Sequence, residues 1–152
     1  MYKKLLVSII FLGHFMIAET QVLERITPAK GPKAVGPYSP GVVADLSKGK
    51  LLFVAGQLPY HPQTGQKVNG SIQDATRQTL DNIGNILAAA GTDFEHVVRV
   101  DVFLKDLKDF AAMNEVYASY FKNGSYPVRQ TIECHIPEMI EISCIALVPT
   151  NE

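Results

Sequence analysis

The chain has 152 residues and a mass of 16.7 kDa, enough for one domain with a short appendage and too little for most multidomain enzymes. With 47% hydrophobic and 19% charged residues it has an ordinary globular composition, which excludes disordered and collagenous classes. Lys and Arg number 14 against 15 Asp and Glu, so the formal charge of −1 creates no field to collect polyanions and nucleic acid is not expected as a partner.

Residues 1–18, MYKKLLVSIIFLGHFMIA, set Lys3 and Lys4 ahead of an apolar run interrupted only by Ser8, Gly13 and His14, the plan of a secretory signal peptide. About 14 apolar residues span roughly 21 Å as a helix, short of the roughly 30 Å hydrocarbon core, so no stable membrane anchor is expected. Ala18 suits the last position before cleavage, whereas Met16 is larger than that signal prefers, and an uncleaved anchor stays the alternative. Cleavage at this point moves the formal charge from −1 to −3 and leaves residues 19–152 as a mildly acidic domain, exported to the periplasm or secreted. In such a compartment Cys134 and Cys144 read either as two buried small apolar residues or as a bridge between neighbouring strands.

Residues 19–41 carry Pro28, Pro32, Pro37 and Pro40 with Gly31, Gly36 and Gly41, a density of breakers that predicts an extended arm or loop. The β-rich runs 42–46 and 50–55, separated by Ser47, Lys48 and Gly49, predict a hairpin, and Gly56 follows directly. Residues 61–70, HPQTGQKVNG, form a polar loop leading into a helix that opens at Ser71, with Asp74 completing its cap. Ile72, Thr76, Leu80, Ile83 and Leu87 fall on one stripe of that helix, and Gly91 closes it in the left-handed conformation. The alternation in 96–104, HVVRVDVFL, predicts a half-buried strand.

Asp106 or Asp109 then starts a second helix with the stripe Phe110, Met113, Val116, Tyr117 and Tyr120, ended by Gly124. Strands 129–136 and 140–148 finish the domain, joined by a tight turn at Pro137, Glu138 and Met139. The order ββαβαββ predicts one mixed sheet with both helices on one face, an α+β two-layer sandwich. Ile132 and Ile142 are expected on a common side, while Leu52, Phe53, Val54, Ile145, Leu147 and Val148 leave large side chains on both faces. Association is the natural cover for the second face.

Standard catalytic motifs such as G-x-S-x-G, H-E-x-x-H, a phosphate-binding glycine loop and C-x-x-C are missing, and His61, His96 and His135 lack metal-ligand spacing. Polar residues beside breakers and strand ends stand out instead. Tyr38 lies between Pro37 and Pro40, Gly56 ends a strand where a ligand can approach the main chain, and Asn114 lies on the second helix. Arg129 begins one strand and Glu141 sits on the next. Pairing around the turn brings the two together, either as a site, within one subunit or across a boundary, or as an ordinary cross-strand ion pair worth about 0.2–1 kcal/mol.

GPYSPG (36–41), LFVAGQLP (52–59) with PQTG (62–65), DNIGNILAAAG (81–91), VFLKDLKDFAAMNEVYASYF (102–121) and YPVR (126–129) with IEI (140–142) resemble the RidA/YjgF family, also described as L-PSP endoribonucleases. The resemblance runs from about residue 27 to 149. It implies the chorismate-mutase-like fold and a homotrimer with three clefts between subunits. It also implies hydrolysis of 2-imino acids, such as 2-iminopropanoate and 2-iminobutanoate, to the 2-keto acid and ammonia, with no cofactor and no metal.

By the same resemblance Arg129 captures the substrate carboxylate, a task suited to a planar guanidinium, and Glu141 holds a water and takes its proton. Gly56 and Thr131 present main-chain groups to the substrate, and Tyr38 and Asn114 line the cleft. Thr131 stands where a cysteine is common and Gln130 where a small residue is, so the cleft shape is this chain's own, and the last turn looks about three residues shorter than in many members. Two further readings use the same scaffold: a module binding small carboxylates or other metabolites without turnover, and a chaperone-like protein using exposed apolar surface. Ribonuclease activity, attributed to some relatives, fits an acidic domain with no basic patch least well.

Overall fold

The computed structural model describes residues 23–26, 36–39 and 41–150, so the leader at 1–18, most of the proline-rich arm and the C-terminal pair lie outside the described residues. Six strands and two helices follow in the order β1 (Leu23–Ile26), β2 (Gly41–Ala44), β3 (Gly49–Gln57), α1 (Ile72–Ala89), β4 (Val97–Leu104), α2 (Phe110–Ser119), β5 (Val128–Glu133) and β6 (Ile140–Pro149). The main sheet has the order β3-β6-β4-β5, antiparallel except for the parallel β4–β5 pair, and both helices pack on one face of it. This is the α+β two-layer sandwich expected from the sequence.

Helix α1 forms where local signals converge. Ser71 Oγ accepts from the Asp74 N–H at 3.2 Å while Asp74 Oδ2 accepts from the Ser71 N–H at 3.1 Å, a complete capping box. At its end Gly91, at φ 79°, donates to Ala88 O and Thr92 donates to Leu87 O, each at 3.0 Å, the Schellman pattern. Ile72, Thr76, Leu80, Ile83 and Leu87 are all buried, and Thr76 ties its hydroxyl to Ile72 O at 2.7 Å. Each large side chain of this kind contributes about 1.5–3 kcal/mol on burial. The second helix start divides its signals: Asp106 Oδ1 accepts from the Lys108 N–H of a 3-10 turn at 107–109, and α2 follows directly after Asp109.

Two pairings differ from the sequence reading. Strand β2 does not form a hairpin with β3; it pairs with β1, from within the proline-rich arm, as a separate two-stranded ribbon. A 3-10 turn at Leu46–Lys48, capped by Asp45, takes the chain from one sheet to the other. Strands β5 and β6 are likewise not neighbours, because β4 lies between them. The βαβ crossover through α2 delivers β5 parallel to β4 at the sheet edge, and β6 then enters antiparallel on the far side of β4. The connection passes the end of β4, where Leu104 O accepts from the Cys134 N–H at 2.9 Å and the Lys105 N–H donates to Met139 O at 3.0 Å.

Consequently Ile132 and Ile142 do not share a side. Ile132 sits opposite Phe103 on the face away from the helices and is 44% exposed, whereas Ile142 sits opposite Val102 in the core. The bridge alternative for the cysteines fails for the same reason: both are free, and Cys144 is buried opposite Val100 on β6, a strand not adjacent to β5. The open face carries Leu51, Phe53 and Ile132, with Phe53 71% exposed. Among the described residues no helix is long and apolar enough to cross a membrane.

Candidate functional site

Arg129 and Glu141 do not form the cross-strand ion pair that a hairpin would allow. Arg129 sits opposite Val100 and Glu141 opposite Phe103. Val100 and Phe103 are three positions apart on one strand, so the two side chains leave opposite faces of the sheet. Two strand intervals and three residues of rise separate their Cα atoms by roughly 14 Å. The structure therefore sorts the sequence-derived site residues into two groups.

The first group gathers at the β5 edge, on the helix-bearing face. Arg129 Nη1 donates to Asn114 Oδ1 at 2.8 Å, and the guanidinium carbon lies 4.6 Å from the Tyr117 ring centre and 5.8 Å from that of Phe110. Phe110, Asn114 and Tyr117 follow the i, i+4, i+7 spacing of one helical stripe, so α2 presents to the arginine one amide between two aromatic faces. Burial pushes the Arg129 pKa down from its ordinary value, with Tyr117 and Tyr38 opposing this, and the group stays a cation at any physiological pH. Among the described residues no carboxylate pairs with it.

Tyr38 is held beside this edge by Ser39, whose N–H donates to Pro127 O at 2.8 Å and whose hydroxyl donates to the Tyr126 carbonyl. Thr131 follows Arg129 on the same face, and its hydroxyl is buried with no hydrogen-bond partner among the described residues. A groove of about 150 Å3 bounded by Arg99, Val128 and Gln130 reaches Arg129.

The second group lies two strands away. A β-carbon built on Gly56 would fall 1.8 Å from Glu141 Oε1 and 2.7 Å from Cδ, so the carboxyl group occupies the space that any side chain at 56 would need. The β3–β6 ladder breaks its register between Val54 and Gln57, and this bulge carries Gly56 against Glu141. A second groove, about 450 Å3, runs from Gly56 past Leu58 and Tyr60 to Ile86.

The sequence reading did not assign Phe110 and Tyr117 to the site, since both sat in the apolar stripe of α2; the signal was Asn114, a polar residue set inside that stripe. Among the described residues no three His, Cys, Asp or Glu side chains gather into a metal-binding group.

A two-layer sandwich with an uncovered apolar sheet face, a stacked arginine at one edge and a glycine-seated glutamate on the far face defines an α+β protein of the YjgF/RidA fold. The sequence profile of the family described as Endoribonuclease L-PSP matches residues 28–148, and the chain belongs to this family, whose members include the RidA and RutC proteins. A RutC family protein of Pyrococcus horikoshii is 48% identical over 126 residues, covering 81% of this chain and 96% of that one. The human 2-iminobutanoate/2-iminopropanoate deaminase is 39% identical over 125 residues, covering 80% of this chain and 88% of its own. Among solved structures, E. coli TdcF with bound serine superposes with a TM-score of 0.60 at 36% identity, covering 82% of this chain and 98% of that chain.

Proposed function

We propose that the chain is a homotrimeric hydrolase of 2-imino acids, in which Arg129 of one copy and Glu141 of a neighbour close on the same substrate. The carrying observation is the division of the site: a stacked guanidinium with no carboxylate partner among the described residues and a glycine-seated carboxylate lie on opposite faces of one sheet, so only association can set them about one small molecule. The exposed Leu51, Phe53 and Ile132 supply an apolar face for that association. A relative at 39% identity is named for this activity, and one at 36% identity holds serine, a small molecule with the same carboxylate.

Arg129 binds the carboxylate through donors that Asn114 leaves unused, with the Tyr117 ring fixing the guanidinium plane. Tyr38, Thr131 and the main chain at Gly56 line the substrate. Glu141 accepts a proton from a water as the water oxygen bonds to the imine carbon, and the C=N electron pair moves to nitrogen, which takes that proton from Glu141 to give the carbinolamine. Glu141 then takes the carbinolamine hydroxyl proton as the carbon–oxygen double bond forms and passes it to the departing nitrogen, which leaves as ammonia. Water is the only co-reactant. The same proposal includes a reaction outside the cytoplasm, a reading supported only by the leader-like sequence of residues 1–18.

The test generates 2-iminopropanoate in situ and follows its decay with wild type, Arg129→Ala and Glu141→Ala, alongside calorimetry with serine and pyruvate. Loss of turnover in both variants, with carboxylate binding kept only by Glu141→Ala, is the expected result. Unchanged decay with and without protein, with binding intact, replaces the enzyme by a carboxylate-binding module.

A further inference from the structure

Glu138 is a buried acid, 6% exposed, that the reaction above does not use. It lies in the connection passing the end of β4, covered by its immediate neighbours rather than set deep in the molecule. Its Oε1 accepts from the Tyr60 hydroxyl at 2.6 Å, and its Oε2 forms an ion pair with Lys67 Nζ. Lys67 and Tyr60 together hold its pKa below the usual carboxylate value, while the shared proton donors Tyr60 and Lys67 are pushed up.

These contacts close a ring. From Gly56 the chain runs four residues to Tyr60, crosses by hydrogen bond to Glu138, runs three residues to Glu141, and returns to Gly56 where the Glu141 carboxyl fills the missing side-chain space. The ring matters because ladder pairing does not hold Gly56: Val54 pairs with Cys144 and Gln57 with Ile142, and the residues between them lie in the bulge. The remaining sides of the ring are fixed. Asn82 Nδ2 on α1 donates to Leu58 O at 3.1 Å and to Tyr60 O at 2.9 Å, and Tyr60 and Lys67 form a β-bridge within their own loop. On the other side Lys105 Nζ donates to Pro137 O at 3.3 Å.

We propose that Glu138, through Tyr60 and Lys67, is a positioning residue for Glu141: the latch sets the distance between the Glu141 carboxyl and the Gly56 main chain, and with it the place of the attacking water. This rests on the hydrolase reading. Arg129 acts from another strand and face, so the latch governs the chemical step rather than carboxylate capture.

The experiment uses the full mature chain as Tyr60→Phe, which removes one oxygen, and as Glu138→Gln, which keeps an acceptor for Tyr60 and loses the charge on Lys67. Imine hydrolysis and site-resolved amide exchange are measured on trimeric protein well below its melting temperature. Expected are a kcat lowered roughly tenfold in Tyr60→Phe, KM within about twofold of wild type, and a smaller loss in Glu138→Gln, because misplacement of a reacting group lowers the rate without altering capture. Exchange at residues 56, 57 and 141 should quicken while Val100 and Val102 keep wild-type protection.

Unchanged kcat, a change confined to KM, or exchange that quickens evenly across the sheet overturns the proposal. Wild-type protein without turnover overturns the hydrolase reading instead, and the exchange pattern then decides the latch alone.

Discussion

The Glu141 carboxyl stands in the space that a β-carbon at Gly56 would occupy, with Oε1 1.8 Å from that position. Glycine at 56 is thus a requirement set by another strand rather than by a turn. Gly56→Ala should drive the carboxyl out of place, lowering kcat by about 10²-fold or more, comparable to losing a general base. The cost should appear in turnover while carboxylate binding, measured by calorimetry, stays near wild type.

In the proposed reaction Arg129 meets the substrate carboxylate through a planar fork held between Asn114 and Tyr117. Arg129→Lys keeps the charge and loses both the fork and the stacking, so kcat/KM should fall by about 10–100-fold, the range expected for a charge-assisted pair. Asn114→Ala should produce a milder rise in KM, because the guanidinium keeps its charge but loses its anchor. Steady-state kinetics on the two variants gives the ordering.

If each site takes Arg129 from one copy and Glu141 from the next, two inactive variants complement each other. Arg129→Ala and Glu141→Ala proteins, unfolded together and reassembled, should recover about a quarter of wild-type activity, the share of boundaries that join two intact halves in a randomly mixed ring. A single-chain site recovers none.

Phe53 is the most exposed large apolar side chain on the open face, at 71%. Phe53→Glu should shift the assembly toward monomer by sedimentation analysis and abolish turnover, while the far-ultraviolet dichroism of the helices is kept. Burying one such side chain contributes about 1.5–3 kcal/mol per copy, so a charge there both removes that term and adds a desolvation cost.

The latch gives stability a defined pH dependence. Glu138 is held below its ordinary 4.5 in the folded chain, so its contribution is complete above that value and is lost as pH falls through the lower folded one. Tyr60 is raised above 10.0 and Lys67 above 10.5, so theirs is complete below those values and is lost as pH rises through the folded ones. Denaturant midpoints of wild type minus Glu138→Gln should therefore be flat between these limits and shrink below about pH 4.5. Cys144 gives a chemical control: burial pushes its thiol up to about 12, so an alkylating reagent at pH 8 should modify Cys134 and spare Cys144 in native protein, read by mass spectrometry.

Features whose physics is local could be read from the chain alone. The α1 cap, its buried stripe and its left-handed terminal glycine are spaced within a turn or two, so the residues that make each signal also make each contact. The alternation of β4 and the α+β class were likewise available from residue types, and motifs singled out Tyr38, Gly56, Asn114, Arg129, Thr131 and Glu141 as the candidate site residues. Pairing was not. A short connection at Pro137 to Met139 suggests adjacent strands, yet parallel delivery of β5 by α2 puts β4 between β5 and β6, because hydrogen-bond partners are chosen by the whole sheet. That one insertion sends Arg129 and Glu141 to opposite faces and makes Glu138, a turn residue by sequence, the clasp between two loops. Nothing within a few residues of any of them encodes that, since side-chain direction in a sheet follows from register, and register follows from contacts far apart along the chain.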